Sequence, residues 1–195
     1  MNNKTLRIAT IGLMAALAYV SFTFLQIKIP TPGGTTSFHL GNTFCVLAAL
    51  LLGGVPGGIA GAIGMGIGDL LDPVYVTYAP KTIILKLLIG IITGLVAHKI
   101  FKIKNNNHDS KLIIYVVISS MAGMFFNVIG EPIFGYFYNS MILGAPEKAA
   151  ATLASWNAIT TSVNAIITII LASLIYLLIQ PRLAKSGILT KLAPR

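Results

Sequence analysis

Residues 112–129, LIIYVVISSMAGMFFNVI, contain no charged side chain, and neither do residues 156–179, WNAITTSVNAIITIILASLIYLLI. A helix needs about 20 mostly apolar residues to cross the roughly 30 Å hydrocarbon layer of a bilayer. Runs of this kind read as membrane-spanning helices. The rest of the chain agrees. Of 195 residues, 55% are hydrophobic and 10% charged, too few charges to cover a water-soluble fold, in which about a quarter of residues are charged. The length accommodates about six spans with short loops in a single membrane domain covering residues 1–195. The expected fold class is therefore an all-α integral membrane bundle of six helices.

The apolar segments place the spans at 6–25, 38–52, 57–71, 81–101, 112–129 and 156–179. The first begins like a signal peptide, but its apolar run is longer than the 7–15 residues of a cleavable one and is read as a retained helix. QIKIPTPGGTTS, with Pro30, Pro32, Gly33 and Gly34, reads as a loop. The second and third spans are short, so either their ends are sheltered by neighbours or one is partly embedded. The formal net charge of +9 is explained by topology rather than by nucleic acid. Lys4, Arg7, Lys99, Lys102, Lys104, Lys111, Arg182, Lys185, Lys191 and Arg195 fall on one side, and cationic loops prefer the cytoplasm. Both termini are expected inside. No internal repeat of the kind common in secondary transporters is visible.

GGVPGGIAGAIGMGIGD, residues 53–69, is the densest glycine run. Helices in lipid associate by close packing, which small residues permit. Gly57, Gly61, Gly64 and Gly68 recur at helical spacing and predict a helix-packing groove. A second small-residue stripe, Ala9, Gly12, Ala15 and Ala16 in the first helix, packs either within the chain or against a partner in the membrane.

Polar side chains at membrane depth are costly and normally face a cavity or a partner. Asn127 and Glu131 share a face of the fifth helix, Asn157 and Asn164 a face of the sixth beside Trp156, and His39 and Asn42 start the second. Lys86 lies inside the fourth. With Tyr75 and Tyr78 they gather toward the outer half of the bundle, where aromatic rings and a few polar groups suit a pocket for a small flat molecule. The rings also suit a membrane interface. Asp69 is expected to anchor an outer loop, through Lys81. Cys45 reads as a small buried hydrophobe, and His98 and His108 as solvated groups of the inner basic connector. There is no GxSxG, HExxH or Walker A motif and no metal-ligand cluster, so no catalytic residue, cofactor or metal is assigned.

TIGLMAALAYV, FHLGNTFCVLAALLLGGVPGGIAGAIGMGIGDLL and YAPKTIILKLLIGIITGLVAHKI together resemble the substrate-binding S components of energy-coupling factor (ECF) transporters, in the riboflavin-type branch that includes proteins assigned to pyridoxine or hydroxymethylpyrimidine. The resemblance covers essentially the whole chain and is most specific over residues 38–99. It implies a vitamin-binding subunit of the bacterial cytoplasmic membrane. Such a subunit has no ATPase of its own and docks through the first-helix stripe onto a membrane coupling protein and two cytoplasmic ATPases, which alone use ATP. The family stripe is usually alanines four apart; here Gly12 and Ala16 keep the geometry. The ligand implied is a planar nitrogen heterocycle such as pyridoxine, hydroxymethylpyrimidine, riboflavin or a queuine-like base. The alternative is a self-sufficient transporter driven by an ion gradient.

Overall fold

The computed structural model of the chain describes residues 2–104, 110–192 and 194. Helix α1 (Asn3–Thr23) leads into an antiparallel hairpin, β1 (Gln26–Thr31) and β2 (Gly34–His39). Helices α2 (Gly41–Leu52) and α3 (Gly54–Leu71) follow, then a single 3-10 turn (Val76–Tyr78), α4 (Ala79–Leu95), α5 (Leu112–Phe137), α6 (Glu147–Lys185) and α7 (Ile188–Leu192). One wider, π-type turn extends α4 over Val96–Ile100 and α5 over Tyr138–Ile142. Helices α1, α3, α4, α5 and α6, with these extensions, are long and apolar enough to cross a membrane.

Helix α2 explains the short second segment. Its 12 residues reach only about 18 Å at 1.5 Å each, less than a bilayer core. Eleven of the 12 are buried, because α1, α3, α4 and α6 wrap around it. Helix α2 is a central post rather than a lipid-facing span. The last carbonyls of a helix are short of internal donors; the Gly53 N–H donates to the Ala49 carbonyl, and side chains from the basic end add to it. Arg7 Nη2 donates to the Leu52 carbonyl at 3.0 Å, and a ring nitrogen of His98 lies 3.1 Å from the Ala49 carbonyl. Arg7 Nη1 also donates to the Leu192 carbonyl, tying α7 to the same end. His98 is therefore half-buried at a helix terminus and not a solvated connector residue; His108 and Arg195 lie outside the described residues.

The glycine helix serves three neighbours rather than one. A Cβ on Gly57 or Gly61 would strike Ala49 or Cys45 of α2, and one on Gly64 or Gly68 would strike the Ala15 carbonyl or the Phe22 ring of α1. The expected groove is real but is shared between two helices. A separate face, unrecognised in the sequence, receives α4: a Cβ on Gly90 would lie 2.2 Å from Gly58 N, and one on Gly94 2.1 Å from Gly54 N. Glycine meets glycine at both levels, so the α3 and α4 backbones are in direct contact. Cys45 is fully buried against Gly61, as a small apolar filler should be.

Several element ends differ from expectation. Helix α6 begins at Glu147 instead of 156, and α5 runs on to Phe137 instead of 129, so the supposed long aromatic connection is mostly helix. QIKIPTPGGTTS is not a loop but the larger part of the hairpin, with Gln26 opposite His39 and Thr31 opposite Gly34. Pro32 and Gly33 take the two central turn positions, and Gly33 has φ 103°, the positive value that this Pro-Gly order favours. The proline and glycine residues were read as a loop; only Pro32 and Gly33 form a turn, and the short strands on either side lack the apolar alternation that would have shown them.

Candidate functional site

A cavity of about 80 Å³ opens among α2, α3, α4, α5 and α6 beneath the hairpin. It is lined by His39, Asn42, Tyr75, Tyr78, Lys86, Asn127, Glu131, Asn157 and Asn164, nine of the ten residues singled out as substrate-binding from the sequence. Trp156 is the exception. It is 40% exposed and does not line the cavity. Successive helical side chains are about 100° apart, so the register that turns Asn157 inward turns Trp156 toward the outside. Asp69, Lys81, Thr82, Thr160 and Thr161 join the lining. The two threonines were legible: positions 157, 160, 161 and 164 form one stripe at helical spacing.

Three structures cover the hairpin end of the cavity. The hairpin is the first. Thr35, Thr36 and Ser37 of β2 face the cavity, Thr36 shares a 2.7 Å hydrogen bond with Thr160, and the turn rests on α6, where a Cβ on Gly33 would fall 2.4 Å from the Ala149 carbonyl. The second is the loop after α3. Its Tyr78 hydroxyl donates to Asn139 Oδ1 at 2.8 Å, and the Tyr138 hydroxyl donates to the Thr77 carbonyl at 2.7 Å. The third is an ion pair between Lys28 and Asp72 at 2.5 Å, which joins hairpin to loop. Burial opposes ionisation of Asp72, but the Lys28 hydrogen bond and the Val74 N–H outweigh it and hold the carboxyl below its usual value. The pair's contribution is thus present above about pH 3.9, the unfolded value, and is lost as pH falls through the lower folded value. Asp69 does not anchor the loop through Lys81. Lys81 Nζ is bonded to Glu131 Oε1, and the anchor is Lys28–Asp72.

Asn164 also has a different role from the one its position suggested. Its Oδ1 accepts from the His39 N–H at 3.1 Å, and its Nδ2 donates to the Ser37 carbonyl at 3.0 Å. The side-chain amide thereby pairs with β2 as a neighbouring strand would, and both its polar ends are committed to the hairpin. Replacing Asn164 with leucine removes two hydrogen bonds, each contributing about 0.5–1.5 kcal/mol. A bound ligand is expected to dissociate roughly ten-fold faster, read by washout of radiolabelled ligand; an unchanged rate would show that Asn164 does not hold the hairpin shut.

The groups left over are polar and buried. Among the described residues, both amide atoms of Asn42, Oδ1 of Asn127 and Nδ1 of His39 have no hydrogen-bond partner. Burial, reinforced by the Lys86 charge, pushes His39 down to about 3, so its ring is neutral at physiological pH. The ring packs edge-on against Phe22 with centroids 4.8 Å apart. Burial also pushes the Tyr75 phenol up to about 12. Buried polar atoms are normally paired; these belong to residues that line one cavity, where a polar molecule can reach them.

On the opposite end of the question stands the outer surface of α1. Ala9, Gly12 and Ala16 are exposed on one face, and a Cβ on Gly12 would meet nothing within 4 Å. Ala15 is not part of that face. It is 7% exposed, and its carbonyl packs against Gly64.

Residues 2–181 match the family described as ECF-type riboflavin transporter, S component. The chain belongs to that family. As an S component it is a multi-pass membrane protein and a vitamin-binding transport subunit rather than an enzyme. An uncharacterized protein in the gap 3′ region of Pyrococcus woesei is 31% identical over 75 residues, 38% of this chain and 49% of that protein, so the match spans about half of its length. No solved structure matches the chain.

Proposed function

We infer that this S component binds a vitamin or related planar nitrogen heterocycle from the outside and delivers it inward on an ATP-driven ECF module. The single observation that carries the reading is the polar cavity: atoms of Asn42, Asn127 and His39 without a hydrogen-bond partner among the described residues converge on it beneath a hairpin tied to α6 and to the loop after α3. Counting α2, the single membrane domain has six helices crossing or filling the membrane. The basic residues around Arg7, Lys99 and Arg182 support a topology with both termini in the cytoplasm of a bacterial cell and the cavity with its hairpin on the outer side. Glu131, Asn127, Asn157, Asn42 and Lys86 present donors and acceptors, His39 a neutral ring, and Tyr75 and Tyr78 flat surfaces to the ligand. The exposed face of Ala9, Gly12 and Ala16 meets a membrane coupling protein carrying two cytoplasmic ATPases, since a lipid-facing stripe of small residues permits close approach of another helix.

Uptake into proteoliposomes tests this. Radiolabelled ligand is expected to accumulate only when the coupling protein, the ATPases and internal ATP are present with the S component. Accumulation by the S component alone under a proton or sodium gradient would instead select a self-sufficient transporter.

A further inference from the structure

The hairpin end of the bundle carries an apolar rim that the cavity does not use. Helix α1 leads through Phe24 and Leu25 into Ile27 of β1, and α3 ends in Leu70 and Leu71, with Val74 in the loop that follows. All six residues are exposed, and Phe24, Ile27 and Leu71 are each 68% exposed. They stand at the same end of the same two helices. A Cβ on Gly68 would fall 2.5 Å from the Phe22 ring and 3.1 Å from Thr23 Oγ1, so the last turns of α1 and α3 lie side by side. Just beyond them Lys28 meets Asp72, the residue that ends α3. Ile27 and Lys28 are neighbours in a strand and point to opposite sides. The ion pair therefore holds the hairpin to the loop and leaves Ile27 uncovered.

Two observations bear on what covers the rim. The first is continuity with the lipid-facing surface of a multi-pass membrane protein. Ile59, Ile63, Ile67 and Leu71 recur every four residues on α3 and are exposed, so one lipid-facing stripe runs unbroken into the rim. On α1 the exposed residues change character. Gly12 and Ala16 are small, but Val20 and Phe24, which continue the same face, are bulky. Small residues suit the close approach of another helix; bulky ones suit acyl chains. The second observation is length. Helix α3 starts at Gly54, beside the end of α2 that Arg7 caps. Its 18 residues rise about 27 Å, less than the roughly 30 Å hydrocarbon layer even without tilt. The end of α3 does not clear that layer, and the hairpin base beside it lies at its boundary.

We propose that acyl chains of the hairpin-side leaflet seat this rim, so that the bilayer itself helps to hold the hairpin over the cavity. Lifting the hairpin takes Ile27 out of hydrocarbon, which is unfavourable in proportion to the apolar area exposed. It also moves the Lys28–Asp72 pair from the edge of a low-dielectric layer into water, where the attraction is weaker. The hairpin thus has a support besides Asn164 and the ion pair, and this support changes with the membrane. The proposal goes beyond the substrate-binding reading and does not depend on which molecule the cavity holds.

Spin labelling of the full-length protein in phosphatidylcholine nanodiscs tests the seat. Cys45 is fully buried, so single introduced cysteines can be labelled selectively. Nitroxides on Ile27→Cys and Leu71→Cys are expected to collide more with oxygen than with a water-soluble nickel chelate, as does one on Ile170→Cys at an exposed mid-helix position of α6. Lys148→Cys, at the exposed start of α6, is expected to show the reverse. Nickel-chelate contact at Ile27→Cys equal to that at Lys148→Cys overturns the proposal and leaves the rim to water or to a protein. Hydrogen exchange of the wild type needs no variant. In nanodiscs of dimyristoleoyl, dioleoyl or dierucoyl phosphatidylcholine, amides of residues 26–39 are expected to exchange roughly ten-fold faster in the thinnest bilayer than in the thickest, the factor for losing the burial of about one isoleucine side chain. The amides of α2, buried at the centre of the bundle, are expected to exchange alike in all three. Equal exchange of residues 26–39 across the series overturns the proposal. Neither measurement uses a ligand, so such a failure leaves the substrate-binding reading standing; that reading fails instead on a cavity that takes up no micronutrient.

Discussion

Replacing Gly12 with leucine is expected to reduce ECF-dependent uptake by roughly ten-fold or more, the equivalent of about 1.4 kcal/mol or greater of lost association, with ligand affinity of the isolated protein unchanged. The two halves of this result come from one geometry. A Cβ at Gly12 enters open space, so the isolated bundle gives no resistance to a larger side chain. A partner helix packed against Ala9, Gly12 and Ala16 would be pushed outward, and close helix contact in lipid relies on small residues. Ala16→Leu should behave alike, whereas Ala15→Leu should destabilise the protein itself, because Ala15 is buried against Gly64. Uptake in whole cells and binding to the detergent-solubilised protein, measured in parallel, separate the cases. Normal uptake by the Gly12 variant would show that this face does not meet the coupling protein.

The second large effect concerns the interior. Gly90→Val is expected to lower the unfolding temperature by roughly 2–12 °C, on the basis that overpacking costs about 1–3 kcal/mol and each kcal/mol shifts a domain of this size by about 2–4 °C. The physical cause is backbone against backbone. The new Cβ would sit 2.2 Å from Gly58 N and 2.4 Å from Gly58 Cα, and no side-chain rotation relieves a clash with a main chain. Helices α3 and α4 must separate, which also displaces Asp69 and Lys86 at the cavity. Gly144→Ala, in a loop with nothing within 4 Å but φ 67°, should cost far less. Thermal unfolding followed by fluorescence-detected size exclusion distinguishes them, and equal stability of the Gly90 variant and wild type would contradict the observed packing.

The bundle and most of the cavity were legible because their signals are local. Apolar runs gave the five long helices, and polar residues recurring on single helix faces gave Asn127 with Glu131 and Asn157 with Asn164. What the sequence could not give depended on register between elements. Trp156 and Asn157 are neighbours, and only the packing of α6 decides which one turns inward. Gly57 and Gly61 look identical in spacing to Gly64 and Gly68, yet they face different helices. The α3–α4 contact required matching Gly54 and Gly58 with Gly94 and Gly90 across more than 30 intervening residues. The hairpin was missed because Pro30, Pro32 and the adjacent glycines mask two polar strands whose role is to cover a cavity, not to bury an apolar face. Lys81 and Asp69 were both noticed, but their partners, Glu131 and the Thr82 hydroxyl, are set by how α3, α4 and α5 meet.

The central claim is that the cavity beneath the hairpin holds a small micronutrient for delivery by an ECF module. Native mass spectrometry of the purified protein, with identification of any molecule it releases, tests that claim most directly. The account predicts one bound small molecule per chain, which is lost or released faster when Asn164 is replaced by leucine. A protein that carries nothing and remains empty after exposure to a panel of vitamins and nucleobases would contradict it.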